Sequence, residues 1–361
     1  MKLRLSAALG LAVAASGVVH AQETAQIDVS SVSSMTMVSD TRVGANVGIN
    51  NPFYLPTPGA GGPISSIVNL WFNRIGGGIS GCSGTMLNAR QILTAAHCVS
   101  NGTALTSNSF TARFRVGTGN TAADWIDVTG TGYAVRDGYT GAVIEERDVA
   151  VLTLDSDAPA WAGSRGISSG PHLTKSTIGA YGRYGVIGGG NSLSDQFTNS
   201  AVVRQGFNLF ESTCRTGGIC STANGSFNSF GGVLLADADL SGQSANGFLC
   251  ASLFFCTAGY GDFQEVGINR GDSGSAAFDT NGNIVGVASW GSIQDPGSRI
   301  PVGGNIGYAC VANSSVNAGC RANFDWIQSQ LIATVPEPGS LALLGLGLAA
   351  MAAVRRRNQT A

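Results

Sequence analysis

From Ile64 onward, short apolar runs alternate with turns rich in Gly, Asn and Ser. Ile67–Phe72, Gln91–Thr94, Phe110–Val116, Val149–Leu154 and Ile284–Ser289 are examples. Short runs bounded by turn residues read as strands, and many of them in succession predict an all-β sandwich or barrel. One late segment breaks the pattern. Asn323–Thr334 places Phe324, Ile327 and Leu331 at helical spacing, with Asn323 in the capping position. The stretch from Gln22 to about Pro63 is rich in Ser, Thr, Gly and Pro and reads as a flexible leader or pro-segment. The sequence shows no internal repeat.

Composition narrows the class. With 43% hydrophobic residues, the 361-residue chain can build a core despite having 52 Gly and only 12% charged residues. A charged disordered chain is therefore excluded. The glycines follow no three-residue period, which excludes collagen. A formal net charge of -2 leaves no basic footprint for nucleic acid. The two lysines, Lys2 and Lys175, stand in no phosphate-binding loop. Only His20, His97 and His172 could serve a histidine mechanism.

Both ends read as addresses. Residues 1–21 carry a basic start (Lys2, Arg4), an apolar run from Leu5 to Val19, and Val19-His20-Ala21 before a cleavage point at Gln22. These are the parts of a secretory signal peptide, and the run is short for a membrane span. Residues 335–361 carry Pro336-Glu337-Pro338, an apolar stretch Leu341–Val354 and Arg355-Arg356-Arg357. This end resembles the PEP-CTERM sorting tail of Gram-negative, exopolysaccharide-producing bacteria. The resemblance implies export across the inner membrane, transient membrane association through the tail, and processing by an exosortase as well as by signal peptidase. Surface display or release would follow. The terminal arginines fit a cytoplasmic end. The alternative is an ordinary C-terminal anchor, for which the apolar run is short. Between the tails, Gln22–Val335 holds 15 basic and 21 acidic residues, a balance of -6.

All eight cysteines fall inside that body, and an even count in an exported chain points to disulfides. Connectivity stays open; sequence neighbours suggest Cys82–Cys98, Cys214–Cys220, Cys250–Cys256 and Cys310–Cys320. With no Cys-x-x-Cys and few histidines, no metal site and no cofactor is expected.

Three segments carry the chemistry: Leu93-Thr94-Ala95-Ala96-His97-Cys98, Glu146-Arg147-Asp148-Val149-Ala150-Val151-Leu152, and Asn269-Arg270-Gly271-Asp272-Ser273-Gly274-Ser275. A serine hydroxyl needs a base within reach, imidazole is the natural one near neutrality, and a carboxylate fixes its tautomer. In their order His, Asp, Ser, the segments resemble the chymotrypsin-type (trypsin-like) serine protease family. Cys82, in Gly81-Cys82-Ser83-Gly84, resembles the cysteine that clamps the histidine loop there.

The resemblance implies two packed antiparallel Greek-key β-barrels with a C-terminal helix. Residues 64–165 would form the first barrel, 166–320 the second and 323–334 the helix of one protease domain, 64–334. It also implies a catalytic triad of His97, Asp148 and Ser273, with the N–H groups of Gly271 and Ser273 forming the oxyanion hole. Ser289-Trp290-Gly291 resembles the strand that binds the substrate peptide as an added β-strand. Gly267 stands six residues before the serine, where trypsin-like members carry Asp, so small or apolar residues before the scissile bond are expected. Arg270 falls at the pocket rim. Asn269 replaces a cysteine usual in the family, so the pocket disulfide is missing. For zymogen activation, which would pair a new N-terminus with Asp272, Arg42-Val43-Gly44 is a loose match to the cut site, lying 54 residues before His97, further than the resemblance implies. The expected partner is a protein or peptide substrate and the expected state a monomer.

Two other readings compete. A homologue without activity would act as a surface or matrix binding protein, but every triad position is intact. Gly166-Ile167-Ser168-Ser169-Gly170 matches the nucleophile elbow of α/β-hydrolases. Only His172 follows, four residues beyond Ser168 and on a loop, so Ser168 is expected to be a decoy.

Overall fold

The computed structural model describes residues 63–116, 125–142, 145–169, 183–190, 202–210, 212–215, 230–237, 271–279, 281–291, 305–315 and 317–333. The first half builds six strands: β1 (Ile67–Arg74), β2 (Ile79–Met86), β3 (Gln91–Thr94), β4 (Ser107–Arg115), β5 (Trp125–Val135) and β6 (Ala150–Leu154). They close into a barrel in the order β1-β2-β3-β6-β5-β4, all pairs antiparallel.

Strand alternation sets the inside of this barrel. Along β4, Phe110, Ala112 and Phe114 are buried while Thr111, Arg113 and Arg115 are partly exposed, the two-residue period of a half-buried strand. Phe72 packs on Phe110, and Tyr133 meets Phe110 edge-on. Each fully buried Phe, Leu or Ile contributes roughly 1.5–3 kcal/mol by leaving water. Asn88 makes the β2–β3 turn, its Oδ1 accepting the N–H groups of Arg90 and Gln91 at 2.9 Å each. Asn at such a turn replaces a backbone partner with its own side chain.

The second half contributes β7 (Arg183–Gly190), β8 (Val202–Leu209), β9 (Ser212–Arg215), β10 (Phe230–Asp237), β11 (Ala276–Phe278), β12 (Ile284–Gly291) and β13 (Asn305–Cys310). They form one antiparallel sheet ordered β8-β7-β11-β12-β13-β10-β9. The second half is a seven-stranded sheet rather than a closed barrel among the described residues, since its end strands β8 and β9 do not pair. The halves share one core, in which Leu70, Ile92 and Val151 join Ala276, Phe278 and Val287.

Helix α1 (Ala318–Ala333) closes the fold. It starts earlier than its apolar spacing indicates. The side chain of Asn317 accepts the Cys320 N–H at 3.1 Å, as an N-cap does. Asn323 is not the cap but a buried interior residue. Its Nδ2 donates to the carbonyls of Glu146 at 2.6 Å and Cys310 at 2.8 Å. In sequence a polar residue one turn into a helix looks like a terminus, because nothing local announces a distant carbonyl to satisfy. Disulfides Cys82–Cys98 and Cys310–Cys320 are formed. The expected pairs Cys214–Cys220 and Cys250–Cys256 fall outside the described side chains. No helix among the described residues is long and apolar enough to cross a membrane.

Candidate active site

Strand pairing brings the first two candidate residues together. β3 and β6 are antiparallel, with Thr94 opposite Ala150. His97 lies three residues past the end of β3, in a tight helical turn Ala96–Cys98, and Asp148 lies two residues before β6. Cys98 is bonded to Cys82 on β2, which pins the histidine turn to the barrel.

The Asp148 side chain is fully buried and that of His97 is 16% exposed. His97 Nδ1 is 2.7 Å from Asp148 Oδ2, and the His97 backbone N–H donates to Oδ1 at 2.8 Å. Ser289 Oγ also donates to Oδ2. An ionised carboxylate only accepts, so Nδ1 carries the proton and Nε2 is left as a base. Three donors stabilise the buried charge, which without them would be costly. Tyr139 packs nearby: burial, then Asp148 and Glu145, push its phenol well above the usual tyrosine range.

Ser273 occupies the turn before β11. Its backbone carbonyl accepts the Ser83 N–H at 2.8 Å, and Cys98 Sγ lies 3.8 Å from the same oxygen, so the serine and histidine turns touch. Gly274 has φ 86°, and a Cβ there would sit 2.1 Å from Thr94 Oγ1. Only glycine fits both the left-handed backbone and that approach. Gly271, at φ 98°, opens the same turn. Asp272 is buried, and its charge adds to burial in raising the Tyr308 phenol.

On β12, Ser289 is buried and holds Asp148, a task its expected place on the substrate strand did not foretell. Trp290 is fully buried, and a Cβ on Gly307 would press against its indole. The β11 register on β12 ends at Ala276 opposite Val287. Ser289–Gly291 therefore runs beyond its β11 partner among the described residues. Gly267, Arg270, His172 and Val43 lie outside the described residues. Cys82, His97 and Cys98 cluster as metal ligands might, but the disulfide ties up both sulfurs.

The serine of the elbow-like motif is engaged elsewhere. Ser168 is fully buried, and its Oγ donates to Asp279 Oδ2 at 2.7 Å. It fastens the start of the second half to the β11–β12 hairpin. The roles of Ser83 and Asn323 were not legible in the sequence, because each depends on a carbonyl far along the chain.

The sequence matches the Trypsin family over residues 69–306. The chain belongs to the trypsin family. Residues 334–357 separately match the PEP-CTERM protein-sorting motif. Among curated proteins, none matches the sequence. Solved structures similar to this trypsin-family chain include HL collagenase, at 16% identity and TM-score 0.50, covering 77% of this chain and 96% of that one. The protease Anisep from Arthrobacter nicotinovorans is 15% identical at TM-score 0.44, over 74% and 98%. A Glu endopeptidase is 18% identical at TM-score 0.43, over 82% and 97%. At such identity the collagenase likeness shows the chymotrypsin-like fold alone. The family match identifies a trypsin-like serine protease domain.

Proposed function

We propose that this serine protease is an exported endopeptidase that cleaves through an acyl-enzyme formed on Ser273. The observation that carries the proposal is the buried Asp148 carboxylate, bound to His97 Nδ1 at 2.7 Å beside the serine turn. Ser273 Oγ attacks the scissile carbonyl while His97 Nε2 takes its proton. The oxyanion is received by the N–H groups of Gly271 and Ser273, an arrangement worth several kcal/mol in such reactions. The imidazolium then gives its proton to the leaving amine. Water, deprotonated by the same nitrogen, releases the acid and restores Ser273. Gly267 at the expected pocket floor supports preference for small or apolar residues, with Arg270 at the rim. The substrate backbone would pair with Ser289–Gly291.

The same proposal assigns residues 1–21 to a signal peptide, 22–63 to a leader, 64–334 to the protease and 335–361 to the sorting tail. The secreted protein should label with a fluorophosphonate and hydrolyse casein. Ser273→Ala should abolish labelling and lower turnover by roughly 10⁶. A wild type that neither labels nor cleaves would instead leave a surface or matrix binding protein. On a chromogenic peptide panel, fastest turnover after Arg or Lys would overturn the assigned preference.

A further inference from the structure

The turn that presents the oxyanion donors needs an external restraint. Gly271 sits at φ 98°, a conformation only glycine adopts readily, yet glycine is also the residue freest to leave it. The family disulfide that would brace this loop is absent, with Asn269 in place of its cysteine. The first barrel supplies a brace from another direction.

Ser83 on β2 is fully buried. Its Oγ donates to the Gly271 carbonyl at 2.7 Å, and its N–H donates to the Ser273 carbonyl at 2.8 Å. Its own carbonyl accepts from Thr94 Oγ1 at 2.7 Å. One residue thus takes the carbonyls of both candidate oxyanion residues. Holding a carbonyl fixes the rotation of its peptide plane, and with it the backbone that aims the neighbouring N–H groups. Any residue but proline could supply the N–H bond, whereas the bond to Gly271 needs a side-chain donor of this length. Ser83 directly follows Cys82, whose disulfide to Cys98 fixes the histidine turn. One point of β2 therefore aligns the base and the oxyanion turn together.

We infer that Ser83 is a positioning residue for the oxyanion hole, its hydroxyl holding the Gly271 carbonyl so that the Gly271 and Ser273 N–H groups stay aimed at the developing oxyanion. This rests on the assignment of Ser273 as nucleophile.

The test compares wild type, Ser83→Ala and Ser83→Gly in the full exported chain. It follows kcat and KM on a peptide amide, the affinity for a peptidyl boronic acid, and thermal melting. The boronate forms a tetrahedral adduct on the serine and loads the hole, whereas KM does not require it. Losing an oxyanion donor outright costs about 10²–10³ in kcat, so loosening the turn should cost about tenfold. Ser83→Ala should lose that factor in kcat and the same factor in boronate affinity, with KM held within about twofold. If alanine does not fold, glycine carries the same prediction. Boronate affinity and kcat within about twofold of wild type in the folded variant overturn the inference. So does a loss that rises in KM alone. A wild type inert to fluorophosphonate and peptide overturns the catalytic assignment itself, a distinct result from an active wild type with an unaffected Ser83→Ala.

Discussion

Asp148 and Ser168 are both buried polar residues whose surroundings say opposite things about use. Asp148 collects donors from His97 and Ser289 and leaves a ring nitrogen free to accept a proton. Ser168 spends its hydroxyl on Asp279, whose other oxygen accepts the N–H groups of Asn281 and Asn283 at 2.9 Å each. A motif match alone would rank Ser168 as a nucleophile. Its hydroxyl is already committed to a carboxylate that braces a turn. Ser168→Ala should therefore destabilise the fold by about 1–3 kcal/mol, the cost of removing one partner from a buried polar pair. Urea unfolding measures that loss, and fluorophosphonate labelling and kcat should stay at wild-type values. A variant that folds normally but no longer labels would instead point to Ser168 as the nucleophile.

Elements carry the next decisions. The antiparallel register of β3 on β6 places His97 and Asp148 side by side although 51 residues separate them. Helix α1 reaches the same region from the other end of the chain. Asn323 ties it to the Glu146 carbonyl, two residues before Asp148, and to Cys310, while Cys310–Cys320 anchors its first turn. Asn323 Oδ1 also accepts from Arg136 Nε at 3.2 Å. Asn323→Ala leaves two buried carbonyls short of a donor and should cost about 2 kcal/mol or more. Denaturant unfolding should show a lower midpoint with unchanged slope. An unchanged midpoint would mean that the disulfide and the buried Trp326 and Ile327 dock the helix without Asn323.

At the scale of the molecule, two halves meet through hydrogen bonds that only a finished fold can make. Ser83 on the first barrel holds the serine turn of the second half, and Ser289 on β12 donates to Asp148 just before β6. In sequence the two matches do not overlap: the trypsin-family match ends at 306 and the PEP-CTERM match begins at 334. A chain stopped after Thr334 should keep wild-type kcat on a peptide substrate and change its distribution between envelope and medium in cell fractionation. Loss of activity in the purified truncated protein would show that the tail belongs to the enzyme rather than to its address.

By itself the sequence determined the strand class and the sorting tail, suggested the neighbouring pairs Cys82–Cys98 and Cys310–Cys320, and put forward His97, Asp148 and Ser273 as candidates. Those features are local: alternation along a strand, a neighbouring cysteine, a short motif in a fixed order. Tertiary structure decided where Asn323 points, that α1 begins at Ala318, that Ser289 serves Asp148, that Ser168 bonds Asp279, and that Ser83 reaches Gly271. Each of those turns on a hydrogen bond between residues brought together only by strand register and the packing of the two halves. The residue types at those positions are common ones, and a lone serine or asparagine carries no mark of the distant carbonyl or carboxylate it will meet.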